Sequence, residues 1–154
     1  MNPYEIRPAT SDDLAVLLHH RRRMFEEMGF NDPAAMEAML TSSTPLLKRG
    51  LIDGTYRAWL AEASTGGIVA GGGVILLEFL SHPIDPLPRR AWVVNIYTEP
   101  EHRRRGLARR VMETMVAWCR AEGMGFLYLH ASDDGRPLYD SLGFKLSNEM
   151  RLAL

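Results

Sequence analysis

Apolar and polar positions follow two rhythms along this chain, and the changes of rhythm divide it into elements. The stretch TYRAWLAEAS alternates with period two, a turn at Thr-Gly-Gly follows, and IVAGGGVILLEFL continues as the second arm of a hairpin. AWVVNIYTEP is a further strand, apolar at nearly every position and so expected to be covered on both faces. Its alternation puts Val93, Asn95 and Tyr97 on one face. MGFLYLHAS and the terminal KLSNEMRLAL read as two more strands, and YEIRP as a short first one. Helical spacing appears in TSDDLAVLLHHRRRMFEEMGF, where Leu14, Leu17, Leu18, Met24, Phe25 and Met28 share a stripe. That helix is capped by Thr10 or Ser11 and stopped by Gly29. DPAAMEAMLTSSTPLLKRGLIDG is a second helix, expected to break at Ser-Thr-Pro with a short turn after it. From about Arg103 to Glu122, Leu107, Val111, Met115 and Trp118 form one row and Ala108, Met112, Val116 and Cys119 the next, with Arg109, Arg110, Glu113 and Arg120 outside. GRPLYDSLGF is a short last helix ended by Gly143, and SHPIDPLPRR, with three prolines, is a loop.

The order is β-α-α-β-β-β-α-β-α-β. The strand–helix–strand unit over 91–131 is expected to be parallel and right-handed, and the earlier strands antiparallel. The prediction is a single α/β domain over 1–154, a mixed sheet with helices on both faces.

Charge narrows the function. Lys+Arg 18 against Asp+Glu 19 gives a net charge of -1, which argues against a general nucleic-acid binder. The most apolar run is too short to span a bilayer and holds Glu78 and three glycines. The start MNPYEIRPAT lacks the regions of a signal peptide, and the single Cys119 excludes an intrachain disulfide or a thiolate cluster. A cytoplasmic protein with no metal, membrane or nucleic-acid partner is expected.

Against that balance, EPEHRRRGLARRVM is anomalous. Five arginines surround Gly106 where a helix begins, although the macrodipole already makes that end positive. Unpaired N–H groups at a strand-to-helix turn bind phosphates, a glycine admits close approach, and arginines add charge-assisted bonds. The expected anion is a pyrophosphate. Neither the P-loop pattern nor the dinucleotide fingerprint is present. What stands here is Arg103-x-x-Gly106-x-Ala108, preceded by NIYTEPEH and followed by LYDSLGF at 138–144. These motifs, their spacing and the order of elements resemble the GNAT superfamily of acetyl-CoA-dependent N-acetyltransferases over essentially the whole chain.

The resemblance implies a central mixed, mostly antiparallel sheet with a parallel, splayed strand pair. It implies that backbone amides from Arg103 through Leu107 to Ala108 hold the coenzyme A pyrophosphate, with Arg104, Arg105 and Arg109 adding charge. The pantetheine arm would run along Ile96, Tyr97 and Thr98, with an N–H near Tyr97 or Thr98 facing the thioester oxygen. Ser132 stands where many relatives carry an asparagine touching the pantetheine. Tyr139 matches the tyrosine that protonates the departing thiolate, or is a core residue beside Leu138 and Phe144. Asn95 would orient the amine or a water, or is a satisfied buried amide. Glu27, Glu78 and His130 remain candidates for the base, each with a structural alternative. Arg21 lies on the apolar stripe of the first helix, where an arginine is out of place. It either binds a substrate carboxylate or lays its stem along the core.

The activity so implied is direct transfer of an acetyl group from acetyl-CoA to a primary amine of a small molecule or peptide, and the resemblance, dimers being common in that superfamily, extends the expectation to a homodimer. Two other readings are a non-catalytic acyl-CoA sensor and a nucleic-acid module using HHRRR and RRRGLARR.

Overall fold

The computed structural model describes residues 2–154. Five strands form one sheet in sequence order: β1 (Tyr4–Pro8), β2 (Tyr56–Ala63), β3 (Ile68–Glu78), β4 (Arg89–Thr98) and β5 (Leu127–Tyr128). The first four pair antiparallel; β4 and β5 pair parallel. Helices α1 (Leu14–Glu27) and α2 (Pro33–Asp53) lie between β1 and β2, α3 (Leu107–Ala121) between β4 and β5, and α4 (Arg136–Ser141) after β5.

Local chemistry sets the element ends. A 3-10 turn over Ser11–Asp13 leads into α1, closed by a capping box in which the Thr10 hydroxyl accepts from Asp12 N–H and the Asp13 carboxylate from Thr10 N–H at 2.7 Å. Arg7 donates both terminal nitrogens to Asp13 at 2.9 and 3.0 Å, which holds that carboxyl below its ordinary range. Asp32 caps α2 and Gly54, in the left-handed region, ends it.

Two apolar layers enclose the sheet. Leu17 of α1 and Leu47 of α2 pack on Tyr56, Ala58 and Leu60. On the opposite face Val111, Met112, Met115 and Cys119 of α3 pack on Trp59, Val74, Ala91 and Val93, with Tyr139 joining from α4. Of the expected stripe of α3, Leu107, Val111, Met112, Met115 and Cys119 are buried and Ala108, Val116 and Trp118 half-buried.

Four expectations change. First, α2 does not break: it runs unbroken through Pro45. The proline removes one donor, while Met36 before it and Leu47 and Gly50 after it are all buried and hold both halves in line. Second, α3 begins at Leu107 rather than near Arg103, because Arg104 and Gly106 adopt φ of +60° and +75°, which no right-handed helix admits. Third, the expected strand over 124–132 is paired only at Leu127 and Tyr128. Fourth, residues 145–154 form no strand, since no described edge pairs with them.

Candidate active site

The parallel pair is short. β4 meets β5 only at Ala91–Leu127 and Trp92–Tyr128, so β4 from Val93 to Thr98 has no pairing on that side and a gap opens between the two chains. On its other side β4 carries a bulge: Tyr97 faces Gly71 and Val94 faces Gly73, which leaves Asn95 and Ile96 opposite the single Gly72. Asn95 takes φ +61°, a region asparagine tolerates better than most residues. A methyl group at Gly72 would run into the end of Ile96 and stand 3.3 Å from Val111, so glycine leaves room for the bulged strand.

The bulge corrects the reading of this strand's faces. Val93 and Ile96 point toward α3, while Val94, Asn95 and Tyr97 point toward α1 and α2. An extra residue shifts the alternation by one, so Val93 is not on the face of Asn95 and Tyr97.

On the α1–α2 side, Asn95 is buried and held at both ends of its amide. Its Oδ1 accepts from Arg21 Nη1 at 2.8 Å, and its Nδ2 donates to the Tyr56 hydroxyl at 3.4 Å. Burial pushes the Tyr56 phenol up to about 12. Arg21 also donates toward Met39 Sδ at 3.0 Å and Ser43 Oγ at 3.3 Å and lies over the Phe25 ring. None of these partners is charged, and burial lowers the guanidinium's pKa. Its neighbours differ: Arg22 pairs with Glu37, and Arg23 with Glu26.

At the end of β4 the chain passes through a 3-10 turn, Pro100–His102, into the arginine-rich turn. Arg103 N–H donates to Pro100 O, and the next bond of the run is Arg110 N–H to Gly106 O at 3.0 Å. The amides from Arg104 to Arg109 therefore lack backbone acceptors, including the free N–H groups expected at the start of α3. Gly106 is exposed, with open space where a Cβ would stand.

The arginines divide between two jobs. Arg103 turns inward: its Nε donates to Thr98 O at 2.9 Å and its Nη2 to Glu27 at 2.6 Å. Its N–H and its guanidinium are thus both engaged within the chain. Arg104 makes no side-chain bond and Arg105 only a long one to Glu101 O, and both are exposed. Arg109 reaches Ser141 at the end of α4.

Tyr139 of α4 is buried in the core cluster of α3 with its ring against Phe144, and burial raises its pKa. It lines a cavity of about 1210 Å³ between β5, α3, α4 and the C-terminal residues. Ser132 accepts from Gly135 N–H at 3.2 Å, so its hydroxyl serves the turn before α4. His130 and Glu78 are exposed, His130 in the cavity wall against the Trp92 ring. Cys119 is buried and its thiol is pushed up to about 11.

One cluster escaped the sequence reading. The Tyr97 hydroxyl lies 3.2 Å from Glu27 and 3.3 Å from Glu99, and His19 Nε2 sits 2.8 Å from Glu99. His20 is 1% exposed, with neither ring nitrogen bonded and Nε2 3.9 Å from Glu99. Its position between Leu17 and Met24 on the apolar stripe was the available signal; its partner, 79 positions along, was not inferable from spacing.

Among the described residues no helix is long and apolar enough to cross a membrane, and no group of three His, Cys, Asp or Glu residues is placed to hold a metal.

Comparison with known proteins agrees with this geometry. The family model described as Acetyltransferase (GNAT) family matches residues 17–144. A GCN5-related N-acetyltransferase structure from Ralstonia eutropha is 34% identical, covers 98% of both chains and superposes with a TM-score of 0.89. A predicted acetyltransferase with acetyl-CoA from Clostridium acetobutylicum is 24% identical over 98% of this chain and 96% of its own, with a TM-score of 0.87. A ribosomal-protein-alanine N-acetyltransferase from Brucella melitensis shares the fold at 18% identity, 99% coverage of both chains and a TM-score of 0.71. No curated protein matches the sequence.

Proposed function

The chain belongs to the acetyltransferase (GNAT) family, and from that premise we propose that it moves an acetyl group from acetyl-CoA to a primary amine by direct attack. One observation carries the reading: a parted β4–β5 pair leads straight into a turn whose amides, Arg104 to Arg109, have no acceptor, with Tyr139 in the core cluster that also holds Val93 of β4.

The residues present suit an acyl-CoA. The unpaired amides and the exposed side chains of Arg104 and Arg105 take the pyrophosphate, Gly106 admits it closely, and Arg109 lies at its edge. Arg103 instead clamps the turn to α1 through Glu27. The pantetheine runs along Ile96, Tyr97 and Thr98, where β4 lacks a neighbour, and a backbone N–H there polarises the thioester carbonyl. Ser132, engaged in its own turn, borders the cofactor without gripping it.

The amine nitrogen then bonds to the acetyl carbon, the carbon–sulfur bond breaks, and the sulfur takes a proton from the Tyr139 hydroxyl. The nitrogen's surplus proton leaves to water, since none of Arg21, Asn95 and Tyr56 bonds to a carboxylate, and solvent returns a proton to the Tyr139 phenolate. Direct transfer suits Cys119, whose buried thiol with a raised pKa is a poor nucleophile.

The acceptor enters on the α1–α2 side and carries a carboxylate. Support comes from Arg21, a half-buried guanidinium whose partners Asn95, Met39 and Ser43 are all neutral. Burying an unpaired charge is unfavourable, and an anion delivered with the substrate removes that penalty.

The test is a panel of amines with and without a carboxylate, followed by release of free thiol from acetyl-CoA. Thiol release biased toward carboxylate-bearing amines is expected. Tight acetyl-CoA binding without release for any amine would leave a non-catalytic sensor.

A further inference from the structure

In the run Gly71-Gly72-Gly73 of β3 each glycine makes room for a different neighbour. Gly72 admits Ile96 of the bulge, and a methyl group at Gly71 would meet Leu60 and lie 3.4 Å from His20. Gly73 admits a phenol: a Cβ there would stand 2.5 Å from the Tyr56 ring and 2.6 Å from its hydroxyl. Tyr56 begins β2, and a Cβ at Gly50 of α2 would stand 2.5 Å from the Tyr56 Cβ. The ring crosses β3 over Gly73 and so reaches Asn95 on β4, two strands away. A tyrosine at 1% exposure is thus threaded across the sheet through a slot that two glycines keep open.

At the end of that path the hydroxyl makes a directional bond. Tyr56 accepts from Asn95 Nδ2, which leaves Oδ1 of the same amide turned toward Arg21. Arg21 donates Nη1 to that oxygen at 2.8 Å and Nε to Met39 Sδ and Ser43 Oγ, while Nη2 makes no hydrogen bond among the described residues. One corner of the guanidinium is therefore held, and the opposite edge, Nε with Nη2, meets only a thioether and a hydroxyl. That edge can take a carboxylate side-on through two parallel N–H···O bonds. Every link from Tyr56 to Arg21 is uncharged, so the chain of bonds orients the cation without neutralising it.

We propose that Tyr56 is a positioning residue for acceptor selection: through Asn95 it fixes the roll of the Arg21 guanidinium, so that the Nε–Nη2 edge is presented to a substrate carboxylate. This rests on the reading of Arg21 as the acceptor's carboxylate site, and adds a residue of β2 that itself touches no substrate. Phenylalanine at position 56 keeps the ring in the slot and leaves the Asn95 Nδ2 unheld. Amide and guanidinium are then free to turn together, and the edge offered to the substrate is no longer set.

Thiol release from acetyl-CoA is followed with free amino acids and with their carboxamides, and selectivity is the ratio of the two kcat/KM values. Differences in amine basicity cancel when a variant is compared with the wild type. Tyr56→Phe should lower selectivity about three- to tenfold, the worth of one neutral hydrogen bond, through the KM of the amino acid and with the KM of acetyl-CoA held. Arg21→Gln should lower it further, and adding Tyr56→Phe to Arg21→Gln should cost nothing more. A second measurement needs no variant to fold: in nitrogen-15 spectra of the wild type, the Asn95 side-chain amide protons should exchange slowly with solvent. Selectivity kept in Tyr56→Phe but lost in Arg21→Gln overturns the role of Tyr56 and leaves the carboxylate reading standing. Selectivity unmoved by Arg21→Gln overturns both. Additive losses in the double variant, or an Asn95 amide that exchanges freely, overturn the positioning chain.

Discussion

His20 offers a quantitative prediction. Its imidazole is 1% exposed, makes no hydrogen bond, and is pushed down by burial to about 4 against an ordinary 6.5, with Glu99 opposing the shift. On unfolding, the ring regains its ordinary value. Between those two values the unfolded chain binds the extra proton, so stability falls as pH falls through that window. The contribution is complete above about pH 6.5, loses about 2 kcal/mol between about pH 7 and pH 5, and levels off at roughly 3 kcal/mol lost below about pH 4. His20→Phe keeps a ring in the slot and removes the titration. Urea denaturation of both proteins across that range isolates the term, since every other ionising group cancels in the difference. The two stability curves should draw together by about 2 kcal/mol on acidification, whatever constant offset the phenyl ring adds. Parallel curves would refute the reasoning, as would an imidazole resonance of His20 titrating near its ordinary value.

Gly106→Val should weaken acetyl-CoA binding at least tenfold by calorimetry, because the side chain enters the open space before the unpaired amides; the left-handed φ adds about 1 kcal/mol of destabilisation. Tyr139→Phe should lower kcat by roughly 10–100-fold with little change in acetyl-CoA affinity or melting, the low end of general acid catalysis. A large loss of stability would make the hydroxyl a structural bond instead. Arg21→Gln should raise the KM of a carboxylate-bearing acceptor by about 10–100-fold, the worth of a charged hydrogen bond, and leave the KM of acetyl-CoA unchanged. Equal effects on amines without a carboxylate would remove Arg21 from the acceptor site.

What the sequence makes legible depends on range. The stripe of α3 and the hairpin of β2 and β3 are readable because each pattern is complete within one segment. The arginine-rich turn stood out in the sequence for the same reason, and its assignment to an anion is the reading proposed here. The faces of β4 were not, because one bulge shifts the alternation, and the hint was an asparagine in an apolar strand facing Gly71, Gly72 and Gly73 across the sheet. The division of the arginines was hidden as well. Whether Arg103 points outward or to Glu27 depends on where α1 packs, 76 positions away in sequence. The tail's alternation was plain, yet a strand is defined by its partner, and none of the described residues pairs with it.

Only two non-glycine residues among those described have positive φ, Asn95 and Arg104, and they bracket the exit of β4. Such conformations persist where their surroundings over-determine them, and they gather at functional sites. Here the surroundings come mostly from one helix. Arg21 of α1 holds the Asn95 amide, and Glu27, two turns further along α1, holds Arg103 beside Arg104. His20 fills the space between them against the Tyr97 ring. Both ends of the proposed reaction path, the acceptor side at the bulge and the phosphate side at the turn, are thus braced by α1, while α3 adds its first N–H groups at the turn and its apolar rows to the core. A perturbation that slides α1 along β4 should shift the acceptor KM and the acetyl-CoA KM together, whereas one that loosens α3 should register first as lost stability.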